Sequence, residues 1–212
     1  MDDTTAPLTP GRFASAMLAV VAVGLVISGI GPRDRFTWLL EVAPVLIGAP
    51  IFLATFRRFP FTPLVYALLA VHAYVLMIGG HWTYAEVPFG FWLQKVLHFA
   101  RNPYDRIGHF AQGFIPAIVG REILLRCSPL RGSRWLPVLV FTCCMTLSVT
   151  YEFIEWWTAL ATGIAAEAFL GTQGDPWDTQ WDMFLCGVGA ITALVTLSRL
   201  QDRQLARIEA AR

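Results

Sequence analysis

The chain has 212 residues, of which 56% are hydrophobic and 15% charged, with 8 Trp and a formal net charge of +1. A soluble domain of this length rarely tolerates that apolar share, so a water-soluble module is set aside. The near-neutral balance removes the bulk field that a nucleic-acid binder uses, and no nucleic acid is expected among its partners.

The apolar residues come in blocks of roughly 18–21, about the length of helix that crosses a ~30 Å hydrocarbon core. Six spans are expected, at 13–30, 38–56, 61–80, 105–125, 135–157 and 178–200. Backbone in lipid must satisfy its own hydrogen bonds, so the fold class is an all-α membrane protein. It is expected to be one bundle of six transmembrane helices, a single polytopic domain over 1–212, with the lipid bilayer as its first partner. Asp2 and Asp3 with only Arg12 do not make the basic leader of a signal peptide, so the first span is expected to be retained.

Pro44 and Pro50 interrupt the second block, and Glu41 in its outer turn suits an interfacial acid as well as a functional one. His72, midway along the third, is expected to hydrogen-bond to a neighbouring helix. The stretch 81–102 is rich in aromatics, and Gln94, Lys95, His98 and Arg101 recur in it at helical spacing. That pattern predicts an interfacial helix or an aromatic loop on the outer side. The stretch 158–174 is mildly apolar with Glu167 as its only charge, too short to span and expected to fold back over the outer face. Residues 201–212 are expected to form a charged cytoplasmic tail. Cys127, Cys143, Cys144 and Cys186 suggest small packing residues and no disulfide framework.

With alternating spans, 11 of the 16 Lys and Arg fall on the side of the N-terminus, and only Arg33, Arg35, Lys95, Arg101 and Arg106 on the other. The positive-inside rule then puts both termini in the cytoplasm. The acids lean toward the outer ends.

Two segments echo each other there. Asn102-Pro103-Tyr104-Asp105 is followed by His109, and Asp175-Pro176-Trp177-Asp178 by Asp182. Asn or Asp caps a helix, Pro fits its first position, and an acid in the first turn favours the exposed N–H groups. Capping alone can explain Asp105, Asp175 and Asp178. It does not explain His109 and Asp182, which lie one turn further in on the same face, roughly 10 Å below the helix start. Gln112 continues the face of His109. The span between runs the opposite way, with Glu155 near its outer end and Glu152 a turn deeper. Convergence of these stripes would gather His109, Glu152, Glu155 and Asp182 in one outward-facing pocket, with Asp105 and Asp178 at its mouth.

So many acids beside one imidazole cannot all stay charged in a membrane without compensation. A divalent cation, shared protons or a base such as Arg106 could supply it. For a cation the expected ligands are His109, Glu152 and Asp182, and carboxylates with one imidazole suit Zn, Mn, Fe or Mg. Without one, the same residues would act as an acid/base pair or a proton relay. The inward halves of the last three spans look apolar (Leu124, Leu125, Val138, Leu139, Leu194, Leu197), which favours a one-sided site over a transport path. An ion- or proton-coupled transporter and a purely structural role for the acids stay open. Gly113, Ala117 and Gly120 suit close helix packing.

At these residues the chain resembles a known family. Tyr104 to Phe114, then Glu152-Phe153-Ile154-Glu155-Trp156-Trp157, then Gly171 to Met183 are similar to the motifs of the YjdF-like inner-membrane proteins of bacteria. The resemblance covers most of the chain and implies a multi-pass protein of the bacterial inner membrane, but no reaction. A looser similarity is to VanZ-like membrane proteins, whose pattern Asp105/His109, Glu152 and Asp182/Gly189 would answer, with Cys186 where that pattern has Asn. It implies an envelope-facing role; an envelope or lipid-like substrate is expected from the outward-facing polar cluster beside the aromatic segment.

Overall fold

The computed structural model describes residues 10–163 and 167–210. Asp2 and Asp3, residues 164–166 of the expected fold-back stretch, and the last tail residues 211–212 lie outside them. Among the described residues the chain is all helical: α1 (Pro10–Ser28), α2 (Arg35–Thr55), α3 (Pro63–Trp82), a 3-10 turn (Tyr84–Glu86), α4 (Pro88–Leu97), α5 (Tyr104–Cys127), α6 (Trp135–Thr162), α7 (Glu167–Leu170) and α8 (Asp178–Ala210).

Five of these helices, α1, α2, α3, α6 and α8, are long and apolar enough to cross a membrane. Helix α5, at 24 residues, is long enough but too polar to join them. The reason lies in its packing. A hydropathy scale treats every side chain as facing lipid, whereas Asp105, His109, Arg121 and Glu122 are buried inside the bundle. The outward faces are apolar instead: Val23, Ile27, Ile51, Leu147, Ile191 and Val195 are exposed.

Helix α5 is the hub. It packs against α3, α6 and most extensively α8. Two glycines set the α5–α8 distance. A Cβ on Gly113 would lie 1.8 Å from the Cys186 carbonyl oxygen, and one on Gly189 2.1 Å from the Phe110 carbonyl oxygen. Ala117, Ile118, Cys144, Cys186, Ala190 and Ala193 continue this buried seam. Gly120, expected to belong to it, meets nothing within 4 Å of an added Cβ.

The helix starts differ from the expected caps: Pro103 and not Asn102 is the N-cap of α5, without a side-chain cap hydrogen bond, α8 begins at Asp178, and Asn102 and Asp175 close turns just ahead of them. The Asn102 side chain accepts a hydrogen bond from the Tyr104 amide at 3.0 Å, and the Asp175 carboxylate one from the Trp177 amide at 3.0 Å. Helix α4 covers part of the expected 81–102 pattern and exposes Phe89, Phe91 and Trp92. Gly90 admits Asn102 against it, since a Cβ there would sit 1.7 Å from the Asn102 Oδ1.

The end of the bundle away from Asp105 departs from expectation. Gln201 does not open a solvated tail: it is fully buried, Leu205 is buried one turn on, and α8 continues unbroken to Ala210. Nor is this end purely apolar. Glu122, fully buried, accepts from the Thr62 amide (3.0 Å), the Thr62 hydroxyl (2.7 Å), Arg126 (2.8 Å) and the Gln201 amide (3.3 Å). Arg121 donates to Gln201 at 2.9 Å and pairs with Asp202 at 2.8 Å. Charges that pair across one helical turn and one helix contact are hidden from a reading that counts apolar residues along the chain.

Candidate functional site

At the other end of the α5–α8 seam, the two echoed helix starts bring their inner-turn residues face to face. His109 is buried, and its Nε2 lies 3.5 Å from Asp105 Oδ1 and 3.8 Å from Asp182 Oδ2. Its other nitrogen, Nδ1, lies 3.1 Å from Gln112 Oε1 and 3.9 Å from Glu152 Oε1. Only the Gln112 contact has hydrogen-bond length; the carboxylates stand further off than a hydrogen bond allows.

The gaps have a size. Four-coordinate metal bonds to imidazole and carboxylate run about 2.0–2.2 Å, which puts neighbouring ligand atoms roughly 3.3–3.6 Å apart. The Nε2–Asp105 and Nε2–Asp182 separations are close to that, and ligand atoms of Asp105, His109 and Asp182 all lie within 4.8 Å of one another. A proton on Nδ1, donated to Gln112, would leave Nε2 free to ligate beside the two aspartates. The expected ligand trio therefore meets differently: Asp105 stands beside Asp182 at Nε2, and Glu152 approaches the opposite ring nitrogen.

Asp105 Oδ2, Glu152 Oε1 and Asp182 Oδ1 are buried without a hydrogen-bond partner. Each such atom costs about 1–3 kcal/mol when nothing replaces water.

The base of the site is Arg101, not Arg106. Arg101 pairs with Asp178, stands 3.6 Å from Asp105 and donates to the Thr172 carbonyl at 2.6 Å. Arg106 instead pairs with Asp175 at 2.9 Å beside the Trp181 ring. Sequence spacing had put Arg101 on the polar face of the short helix. The signal that could have found it is its four-residue separation from Asp105.

Glu155 does not touch His109 directly. It lines a cavity of about 200 Å³ that includes Glu41, Tyr84, Asp105, His109, Gln112 and Tyr151. Glu41 is buried there and accepts from the Tyr151 hydroxyl at 3.1 Å, so it is no interfacial acid. Tyr84, in the turn between α3 and α4, fits because Gly79 and Gly108 leave room for its ring: added Cβ atoms would lie 2.2 and 2.6 Å from it. Burial beside the Glu41 carboxylate holds its phenol protonated, well above the usual range.

The family described as "Predicted membrane protein (DUF2238)" matches residues 13–203. The inner membrane protein YjdF of Escherichia coli (strain K12) is 52% identical over 183 residues, covering 86% of this chain and 88% of that protein. No solved structure matches.

Proposed function

The chain belongs to the DUF2238 family of predicted membrane proteins, and from that premise we propose a six-span inner-membrane protein whose His/carboxylate site faces away from the cytoplasm. Helix α5 is the sixth span, its polar side chains turned into the bundle, and both termini lie in the cytoplasm, as the 11-to-5 split of basic residues favours. The inner-membrane name of the E. coli relative supports the compartment. Helix α4 lies in the outer interface, with Phe89, Phe91 and Trp92 toward the headgroups.

The site works on a membrane-resident or envelope substrate by hydrolytic or transfer chemistry. A divalent cation (Zn, Mn, Fe or Mg) bound by Asp105, His109 and Asp182 would polarise the substrate or activate a water. Glu152 and Gln112 orient His109, Arg101 and Asp178 frame the mouth, and Glu155 sits in the cavity as acid/base partner. The supporting observation is the approach of Asp105 Oδ1 and Asp182 Oδ2 to His109 Nε2, at 3.5 and 3.8 Å, while the second oxygen of each aspartate is buried without a hydrogen bond. Water or protein normally satisfies such atoms.

A carrier would need the polar path to continue. Between the two polar clusters Ile118, Cys144, Cys186 and Ala190 are packed at 0–1% exposure, which favours chemistry over passage. The test is the metal content of detergent-purified protein beside His109→Ala and Asp182→Asn, with folding followed by helical circular dichroism. A near-stoichiometric cation lost in both folded variants is expected. No cation in wild-type protein after adding Zn, Mn, Fe and Mg removes the metal mechanism, and proton uptake in vesicles then tests the acid/base alternative.

A further inference from the structure

The cavity beneath His109 does not end among the acids. Its floor is made by Pro44, His72 and Leu76. The same three residues line a second cavity, an apolar groove of about 180 Å³ between α1, α2 and α3, with Gly48, Phe52 and Leu69 further along it. The two cavities thus share a wall, with the acids at one end and mostly apolar side chains at the other.

The lengths suit a membrane molecule. On α5 the polar cavity runs from Asp105 to Pro116, roughly 16 Å of helix. On α3 the groove runs from Leu76 to Tyr66, roughly 15 Å. They overlap at the shared residues, and on α2, which lines both, they run together from Glu41 to Phe56, roughly 22 Å of the ~30 Å of a hydrocarbon core. The width suits one chain. A cavity of about 150 Å³ accepts a single benzene ring, so a groove of this volume holds a segment of one apolar chain and not two.

His72 marks the junction. It is half-buried, and among the described residues nothing hydrogen-bonds to its ring, contrary to the expectation of a partner on a neighbouring helix. A polar ring left free where two cavities meet is open to an occupant passing between them.

We propose that the substrate is an amphiphile with an anionic head and one long apolar chain. The head would rest on the cation at Asp105, His109 and Asp182, since Glu41, Asp105 and Glu155 alone would repel an anion, and the chain passes His72 into the groove between α1, α2 and α3. The choice of an anionic head rests on the cation reading above; the path of the chain rests on the two cavities alone.

The test uses hexadecyl phosphate with a diazirine at the chain end, photolysed with the full protein in nanodiscs with and without each of Zn, Mn, Fe and Mg, and the labelled peptides identified by mass spectrometry. The blocking variant is Gly48→Leu, where an added Cβ meets only the Phe52 ring, at 3.9 Å, so the side chain fills the groove without displacing backbone. Labels are expected on α2 and α3 within 44–56 and 66–76, falling at least fivefold in Gly48→Leu while helicity and thermal unfolding stay unchanged. Labels confined to the outer faces of α1, α6 and α8, or groove labels that Gly48→Leu leaves intact, overturn the proposal. A wild-type protein that binds no cation yet shows Gly48-sensitive groove labelling keeps the chain path and overturns the metal reading together with the anionic head.

Discussion

At one end of the α5–α8 seam Glu122 has a donor for each oxygen, from Thr62, Arg126 and Gln201. At the other end Asp105, Glu152 and Asp182 each keep a buried oxygen without a hydrogen bond, that of Asp105 standing 3.6 Å from Arg101. Both clusters are buried, both draw on α5 and α8, and they are separated by the same packed seam. A satisfied buried network rigidifies a fold, and breaking it leaves uncompensated charge. An unsatisfied one lowers stability, and the surplus polarity points to a ligand. Polarity inside a membrane bundle therefore does not by itself mark a site; the proposed one rests on the difference between the two ends.

Glu122→Ala carries the largest expected effect. It strands Arg126, Gln201 and the Thr62 donors, and should lower stability by about 3–5 kcal/mol, seen as a large drop in the detergent unfolding midpoint. A near-neutral result would make the far cluster as dispensable as solvent-exposed charge. Next comes Gly113→Leu, whose side chain has to enter the space of the Cys186 carbonyl. Overpacking there should cost about 1–3 kcal/mol, read by the same unfolding, with the polar geometry at both ends loosened together. Asp182→Asn should behave in the opposite sense. Removing one of several crowded acids in the ion-free protein should leave stability unchanged or raise it by about 1 kcal/mol, as functional sites that sacrifice stability do. A loss as large as that of Glu122→Ala would erase the distinction between the two ends. The smallest effect belongs to Glu209→Gln, which breaks the exposed pair with Arg131 and should cost less than about 1 kcal/mol.

Much of this was legible in the sequence, for identifiable reasons. Apolar blocks forecast helices over each expected stretch, because length and hydropathy govern helices in lipid. The repeated Asn/Asp-Pro-aromatic-Asp runs marked where α5 and α8 begin but not their caps, since Asn102 and Asp175 close turns ahead of the helices, and His109 and Asp182 one turn deeper lie near each other with Asp105. What stayed hidden depended on long-range geometry. Arg101 and Glu41 reach the site from outside the echoed motifs, and Gly79 and Gly108 matter only because the Tyr84 ring lies between them. Glu122 and Gln201 escaped because their partners lie about 60 and 80 residues away in the chain. The exchange of Asp105 for Glu152 at the ring nitrogen could not be read from helical spacing, which gives the face of a residue but not which nitrogen it meets.

The most direct measurement is thermal unfolding of the purified protein with and without each divalent cation, in wild type, His109→Ala and Glu122→Gln. An ion held by the folded site adds about 2.7 kcal/mol at a hundredfold excess over its Kd. The wild type should gain that increment with one of the cations, and Glu122→Gln should gain it too from a lower baseline. His109→Ala should gain nothing. A wild type indifferent to all four cations, or a His109→Ala variant stabilised as much as the wild type, would contradict the claim that the unmet acids around His109 form a cation site.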